Sequence, residues 1–164
     1  MPTRRHLLFA GTGALAVVLI GRLRPTSAEP VAKVYEVTHS DAEWKNLLTA
    51  DQYAVLRHEG TERPFTSPLL HEERVGQFTC AGCDKPLFLS KTKFDSHTGW
   101  PSFWDAMDAA VDKIQDRSYG MTRTAIACER CGGHLGHVFP DGPKPTGLRY
   151  CMNGVALKFV PDAA

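Results

Sequence analysis

The sequence predicts a mainly β, α+β domain: an antiparallel β core with short helices confined to its N-terminal side. Two observations carry this. Cap-and-helix patterns stop at Gly60, and from Val75 onward short apolar or alternating segments recur between turn formers, the signature of antiparallel strands. Two Cys-x-x-Cys pairs, Cys80-Ala-Gly-Cys83 and Cys128-Glu-Arg-Cys131, are also flanked by strand-like segments, as zinc hooks usually are.

The elements follow in order. Residues 29–39 are expected to be extended and loosely held. Ser40 or Asp41 caps a helix through Leu48, with Glu43 placed to close a capping box, and Thr49 caps a second helix over Ala50–Arg57. TERPFTSPLL, residues 61–70, has two prolines and reads as a loop wrapped over the domain. Strands are expected at 77–79 and 87–90, around the first hook. Residues 94–104, FDSHTGWPSFW, read as a structured loop. Further strands are expected at 110–115, 120–127, 137–139, 148–153 and 155–160, with the turn-rich PDGPKPTG before the last pair. Gly82 and Gly132 supply the backbone freedom that tight hooks need.

The N-terminus reads as a targeting segment. Arg4 and Arg5 precede an almost wholly apolar run, Leu7–Ile20. As a helix that run would span about 21 Å, short of the roughly 30 Å of bilayer hydrocarbon. Thr26 and Ala28 suit a cleavage site. The twin arginine resembles a Tat export signal over residues 1–28, giving a periplasmic or other extracytoplasmic destination. A Sec signal or an uncleaved anchor is the alternative. Export of an already folded chain lets four thiols take metal in the reducing cytosol before they meet an oxidising compartment. Cleavage removes four arginines and leaves 15 basic against 18 acidic residues, a formal charge of −3. Nucleic acid is disfavoured as a partner on that charge.

Four of the five cysteines can close a tetrahedral Zn²⁺ site: Cys80, Cys83, Cys128 and Cys131. A pair of disulfides and a redox Cys-x-x-Cys are the competing readings. A closed four-thiolate site has no open position, which disfavours a zinc hydrolase. Cys151 is left over. If its segment is a strand, Arg149, Cys151 and Asn153 share a face, where a guanidinium favours thiolate and an amide assists near the reacting group; the alternative is an inert core cysteine. His134 and His137 are candidates for proton donation beside that thiol, against packed or surface roles. Trp100, between Gly99 and Pro101, can floor an apolar subsite or fill the core; Phe103 and Trp104 read as core.

TERPF, CAGC, KFDS, GWPSFW, CERCGGHLGHVF and LRYCMNG, in that order over about Ser40–Pro161, resemble the type B methionine sulfoxide reductases. The resemblance implies two antiparallel sheets, a structural zinc remote from catalysis, and reduction of methionine (R)-sulfoxide, free or in proteins. It implies Cys151 as the nucleophile and His134, His137 and Asn153 around water or the sulfoxide oxygen. It puts Arg149 in support of the thiolate and Trp100 against the substrate methyl. Many members carry a resolving cysteine just before GWPSF. Thr98 stands there in this chain, and His97 replaces a glycine, so the chain resembles the single-cysteine branch, whose sulfenic acid is reduced directly by a thioredoxin-like or other thiol. A monomer repairing oxidised exported proteins is expected. The alternative is a non-catalytic zinc-stabilised β domain that binds peptides or proteins.

Overall fold

The computed structural model describes residues 33–163. The expected export signal, its cleavage site and residues 29–32 lie outside the described residues. Two helices come first among the described residues: α1 (Asp41–Leu47) and α2 (Ala50–His58). Both begin with complete capping boxes. The Ser40 hydroxyl accepts from the Glu43 N–H and the Glu43 carboxylate accepts from the Ser40 N–H at 2.7 Å; Thr49 and Gln52 repeat the arrangement at 3.2 and 3.0 Å. Such caps satisfy amide donors that helices this short would otherwise leave unpaired. No helix among the described residues is long and apolar enough to cross a membrane.

Nine strands follow among the described residues: β1 (Gly76–Cys80), β2 (Pro86–Leu89), β3 (Lys93–Phe94), β4 (Ser102–Phe103), β5 (Val111–Asp116), β6 (Arg123–Cys128), β7 (His134–Phe139), β8 (Arg149–Met152) and β9 (Leu157–Pro161). They form two antiparallel sheets, β2-β1-β9 and β3-β4-β8-β7-β6-β5. The core lies where the sheets face each other. Phe78 and Phe88 of the small sheet meet Phe103 of the large one, with ring centroids 4.9 and 4.4 Å apart, and all three are fully buried with Ile126, Leu135 and Met152.

Several expectations need correction. Residues 33–37 are not loosely held: Lys33 pairs with Asp112 at 2.7 Å, and the Val37 N–H donates to the Arg130 carbonyl at 3.0 Å. The loop expected at 94–104 contributes two short strands, because Phe103 is a core side chain and carries its backbone into the sheet beside β8. The strand expected from Gly120 starts at Arg123; a 3₁₀ turn, Ser118–Gly120, precedes it, with Tyr119 at φ 54°. β7 starts three residues earlier than expected, at His134.

Candidate active site

The two hooks are near copies. In each, the N–H of the residue after the second cysteine donates to the first cysteine's carbonyl: Asp84 to Cys80 at 2.9 Å, Gly132 to Cys128 at 2.8 Å. In each, the first cysteine's own N–H donates back to a carbonyl five residues on, Lys85 or Gly133, both at 2.8 Å. The left-handed residue is the one after the second cysteine, Asp84 (φ 58°) or Gly132 (φ 68°). Of the two glycines expected to give the hooks backbone freedom, Gly132 takes the left-handed conformation and Gly82 does not. The four sulfurs lie within 4.8 Å of one another, with Cys80–Cys131 at 3.7 Å and Cys83–Cys128 at 3.5 Å. Sulfurs at about 2.3 Å from one tetrahedral Zn²⁺ stand about 3.8 Å apart. The donor set and its edges fit that ion, and these separations are too long for disulfides.

Cys151 stands apart from this cluster, on β8. Tyr150 and Met152 of that strand are buried in the core, so Arg149 and Cys151 point to the outer face of the large sheet. Directly opposite Cys151 on β7 is His137, and directly opposite on β4 is Ser102. Side chains so paired share a face at about 5 Å. One cross-sheet row therefore holds Ala125, His137, Cys151 and Ser102.

His134 is three residues from His137, and a regular strand would put it on the opposite face. A bulge prevents that. Ala125 pairs with His137, Ile126 with Gly136, and Ala127 with His134, so Leu135 is the extra residue and alternation is reset across it. The two imidazoles meet edge to face, 5.4 Å between centroids. Gly136 permits the arrangement, since a Cβ there would stand 2.2 Å from the Cys151 carbonyl oxygen. Burial and the neighbouring His137 push the His134 pKa down to about 4, so its ring is neutral at pH 7 and donates or accepts as an uncharged group.

Asn153 holds the bulge. The carbonyl of Leu135 accepts from both the backbone N–H (2.8 Å) and the side-chain Nδ2 (3.0 Å) of Asn153. The other amide atom, Oδ1, accepts from the Glu62 N–H at 2.9 Å. Asn153 lies just past the end of β8, at the start of a 3₁₀ turn, so it does not continue the Arg149–Cys151 alternation. Its amide, 4 % exposed, is spent on backbone groups.

Three residues that sequence reasoning did not single out complete the surroundings. Asp116, at the end of β5, accepts from His137 Nε2 (2.9 Å), from Arg123 (2.6 Å) and from the Ser118 N–H (2.8 Å). The Ser118 backbone and hydroxyl, then His137 and Arg123, hold its carboxyl well below the usual range. The anion fixes which imidazole nitrogen points away from the sheet centre. Glu62, from TERPF, is half-buried. Its carboxylate accepts from the N–H groups of Gly154 and Val155, and its carbonyl accepts from Trp100 Nε1 at 3.1 Å. Burial raises its pKa. Glu62 thereby links Trp100, two residues before Ser102, to the turn that follows Cys151. Asp141 grips Arg149 through two parallel bonds, 2.9 and 2.8 Å, which lays the guanidinium 4.5 Å from the Phe139 ring centroid on the Cys151 face. Spacing alone signals none of the three; each is a lone carboxylate in a polar segment.

Burial pushes the Cys151 thiol up, and Thr98, Arg149 and Ser102 pull it partly back. Burial outweighs that pull, so the thiol sits above its ordinary range. Two openings lie beside its neighbours, and Cys151 itself lines neither. One, of about 350 Å³, is lined in part by His134, His137, Asp116 and Arg123. The other, of about 700 Å³, is lined in part by Phe65, Phe94, His97 and Gly99, next to Thr98.

Comparison with known proteins agrees with this architecture. The SelR domain family matches residues 48–161. A peptide methionine sulfoxide reductase MsrB of Agrobacterium fabrum is 55 % identical over 127 residues, covering 77 % of this chain and 94 % of the relative. One of Leptospira interrogans is 55 % identical over 126 residues (76 % and 96 %), and one of Methanosarcina barkeri 53 % over 124 residues (75 % and 87 %).

Proposed function

The chain belongs to the MsrB family of peptide methionine sulfoxide reductases, oxidoreductases that carry a SelR domain, and from that premise we propose that it reduces methionine (R)-sulfoxide through Cys151. The observation that supports this most is the β7–β8 register. It sets Cys151 opposite His137 on an open sheet face, while the other four thiols converge elsewhere.

The chemistry balances on the groups present. The Cys151 sulfur attacks the sulfoxide sulfur as the thiol proton passes to the sulfoxide oxygen. An S–S bond to the substrate forms as the S–O bond breaks, and the oxygen, protonated a second time, leaves as water. A water then adds to the Cys151 sulfur as the S–S bond breaks, so the thioether leaves, that second proton is returned, and Cys151 is left as a sulfenic acid. The substrate gains two electrons and the cysteine sulfur loses two. A neutral His134 and an Asp116-held His137 hydrogen-bond the oxygen and carry the proton across the short gap from sulfur. Arg149 offsets charge on the sulfur as it forms. The Trp100 indole, anchored to Glu62, supplies the apolar wall for the S-methyl group.

Regeneration needs an external dithiol. One of its thiols attacks the sulfenic acid sulfur, its proton leaving with the hydroxyl as water, to give a mixed disulfide. The second thiol attacks that disulfide, closes a disulfide in the donor and releases Cys151 as thiol. Cys151 is the one cysteine outside the metal cluster, which supports direct reduction by a thioredoxin-like donor without an intramolecular disulfide. Bound zinc would be held by Cys80, Cys83, Cys128 and Cys131 and would tie the two hooks together structurally. The Arg4-Arg5 leader supports Tat export and the repair of extracytoplasmic proteins; replacement of both arginines by lysine is expected to retain the protein in the cytoplasm.

The test is an assay on the separate R and S epimers with dithiothreitol. Wild type should reduce the R epimer, and Cys151→Ser should have no activity. Equal activity in the variant would refute the assignment.

A further inference from the structure

We propose that Thr98 is a catalytic residue, the last member of a three-hydroxyl chain that reverses its hydrogen bonds as the Cys151 sulfur passes from thiol to thiolate. The inference rests on the reading of Cys151 as the nucleophile and goes on to say what stabilises its reactive form.

The chain is continuous. Thr98 Oγ1 stands 3.8 Å from Cys151 Sγ, Ser96 Oγ 2.8 Å from Thr98 Oγ1, and Ser102 Oγ 2.7 Å from Ser96 Oγ. At the far end Ser102 Oγ reaches the Trp100 carbonyl at 3.2 Å. Ser102 is fully buried and sits opposite Cys151 in the sheet, so the far end is rigid. The near end is shaped by His97. It adopts φ 57° with its side chain in solvent, and its N–H donates to Asp95 at 2.8 Å. That left-handed turn, at the position where the family resemblance puts glycine, brings Ser96 and Thr98 into contact with each other.

Each hydroxyl has one proton, and the geometry accommodates both sulfur states. With the thiol, Cys151 S–H donates to Thr98, Thr98 to Ser96, Ser96 to Ser102, and Ser102 to the Trp100 carbonyl, so every proton has an acceptor. With the thiolate, the direction inverts: Ser102 donates to Ser96, Ser96 to Thr98, and Thr98 to the anionic sulfur. No proton travels along the chain; three hydroxyls rotate. A hydrogen bond to a charged acceptor is stronger than a neutral one, and hydroxyls in series polarise one another. The Thr98 hydroxyl, like Arg149, pulls the buried thiol toward ionisation. A residue in the place of a second cysteine thus has a use of its own.

The experiment is the pH dependence of iodoacetamide alkylation at Cys151 in zinc-replete protein, mapped by mass spectrometry. Thr98→Val, nearly isosteric, should move the midpoint up by about one unit and slow alkylation about tenfold below it. Thr98→Ser should restore the wild-type midpoint, and Ser96→Ala should shift it upward by less than Thr98→Val. An unchanged midpoint in Thr98→Val would overturn the proposal, as would a Thr98→Ser shift equal to that of valine. Alkylation reports thiolate whatever the substrate, so this result is separable from the Cys151→Ser assay, which alone tests the nucleophile's identity.

Discussion

Replacing Asn153 by alanine should disturb the site through the bulge in β7. The side chain is 4 % exposed and makes two bonds, one to the Leu135 carbonyl at 3.0 Å and one from the Glu62 N–H at 2.9 Å. Leu135 would keep its bond from the Asn153 backbone at 2.8 Å, whereas the Glu62 N–H would lose its partner. Orphaning a buried donor costs about 1–3 kcal/mol and losing a second, partly compensated bond about 1 kcal/mol more, so about 2–4 kcal/mol in all. For a domain of this size that is a fall in Tm of about 10 °C. The bulge is also what puts His134 on the Cys151 face, so kcat should fall even at temperatures where the variant is fully folded. Calorimetry of zinc-replete protein and steady-state kinetics at 15 °C read the two effects. A Tm within 2 °C of wild type, or full kcat in the folded variant, would show that the bulge does not depend on this amide.

Other consequences follow from the same contacts. Asp116→Asn removes the anion that orients His137, and kcat/KM should drop about 10- to 100-fold, the worth of a charge-assisted bond; a change under twofold would set Asp116 aside. The His134 pKa lies at about 4 in the fold against 6.5 ordinarily. Because the unfolded chain binds the extra proton first, this histidine's contribution is intact above pH 6.5 and is lost as pH falls toward 4, about 3 kcal/mol in total. Urea denaturation should show that acid loss in wild type to be larger than in His134→Gln by about this amount, and parallel pH profiles would contradict it. Chelation of the metal, or Cys128→Ser, should unfold the domain or lower its Tm by tens of degrees, since a four-thiolate site links both sheets' hooks; an unchanged melting curve with zinc removed would refute a structural role.

Local chemistry made much of this legible in the sequence. Ser40 with Glu43 and Thr49 with Gln52 announce their helices because a cap is a contact within four residues. The Cys-x-x-Cys pairs announce their convergence because a hook is likewise local. Cys151 stands out because it is the one cysteine outside the two hooks. What escaped depends on register. The bulge at Leu135 shifts one strand against another, and only the pairing shows that it rescues His134 to the outer face. Asp116 reaches His137 from β5, two places from β7 in the sheet, and Glu62 reaches Asn153 across 91 residues. The alternation that grouped Asn153 with Arg149 and Cys151 failed because β8 ends at Met152, where the chain turns to meet Glu62.

The most direct measurement exposes zinc-replete protein, without reductant, to one equivalent of methionine (R)-sulfoxide in the presence of dimedone, and maps the adduct by mass spectrometry. One dimedone per chain on the peptide containing Cys151 is the predicted result. An adduct on any of the four clustered cysteines, or a disulfide joining Cys151 to one of them, would contradict it.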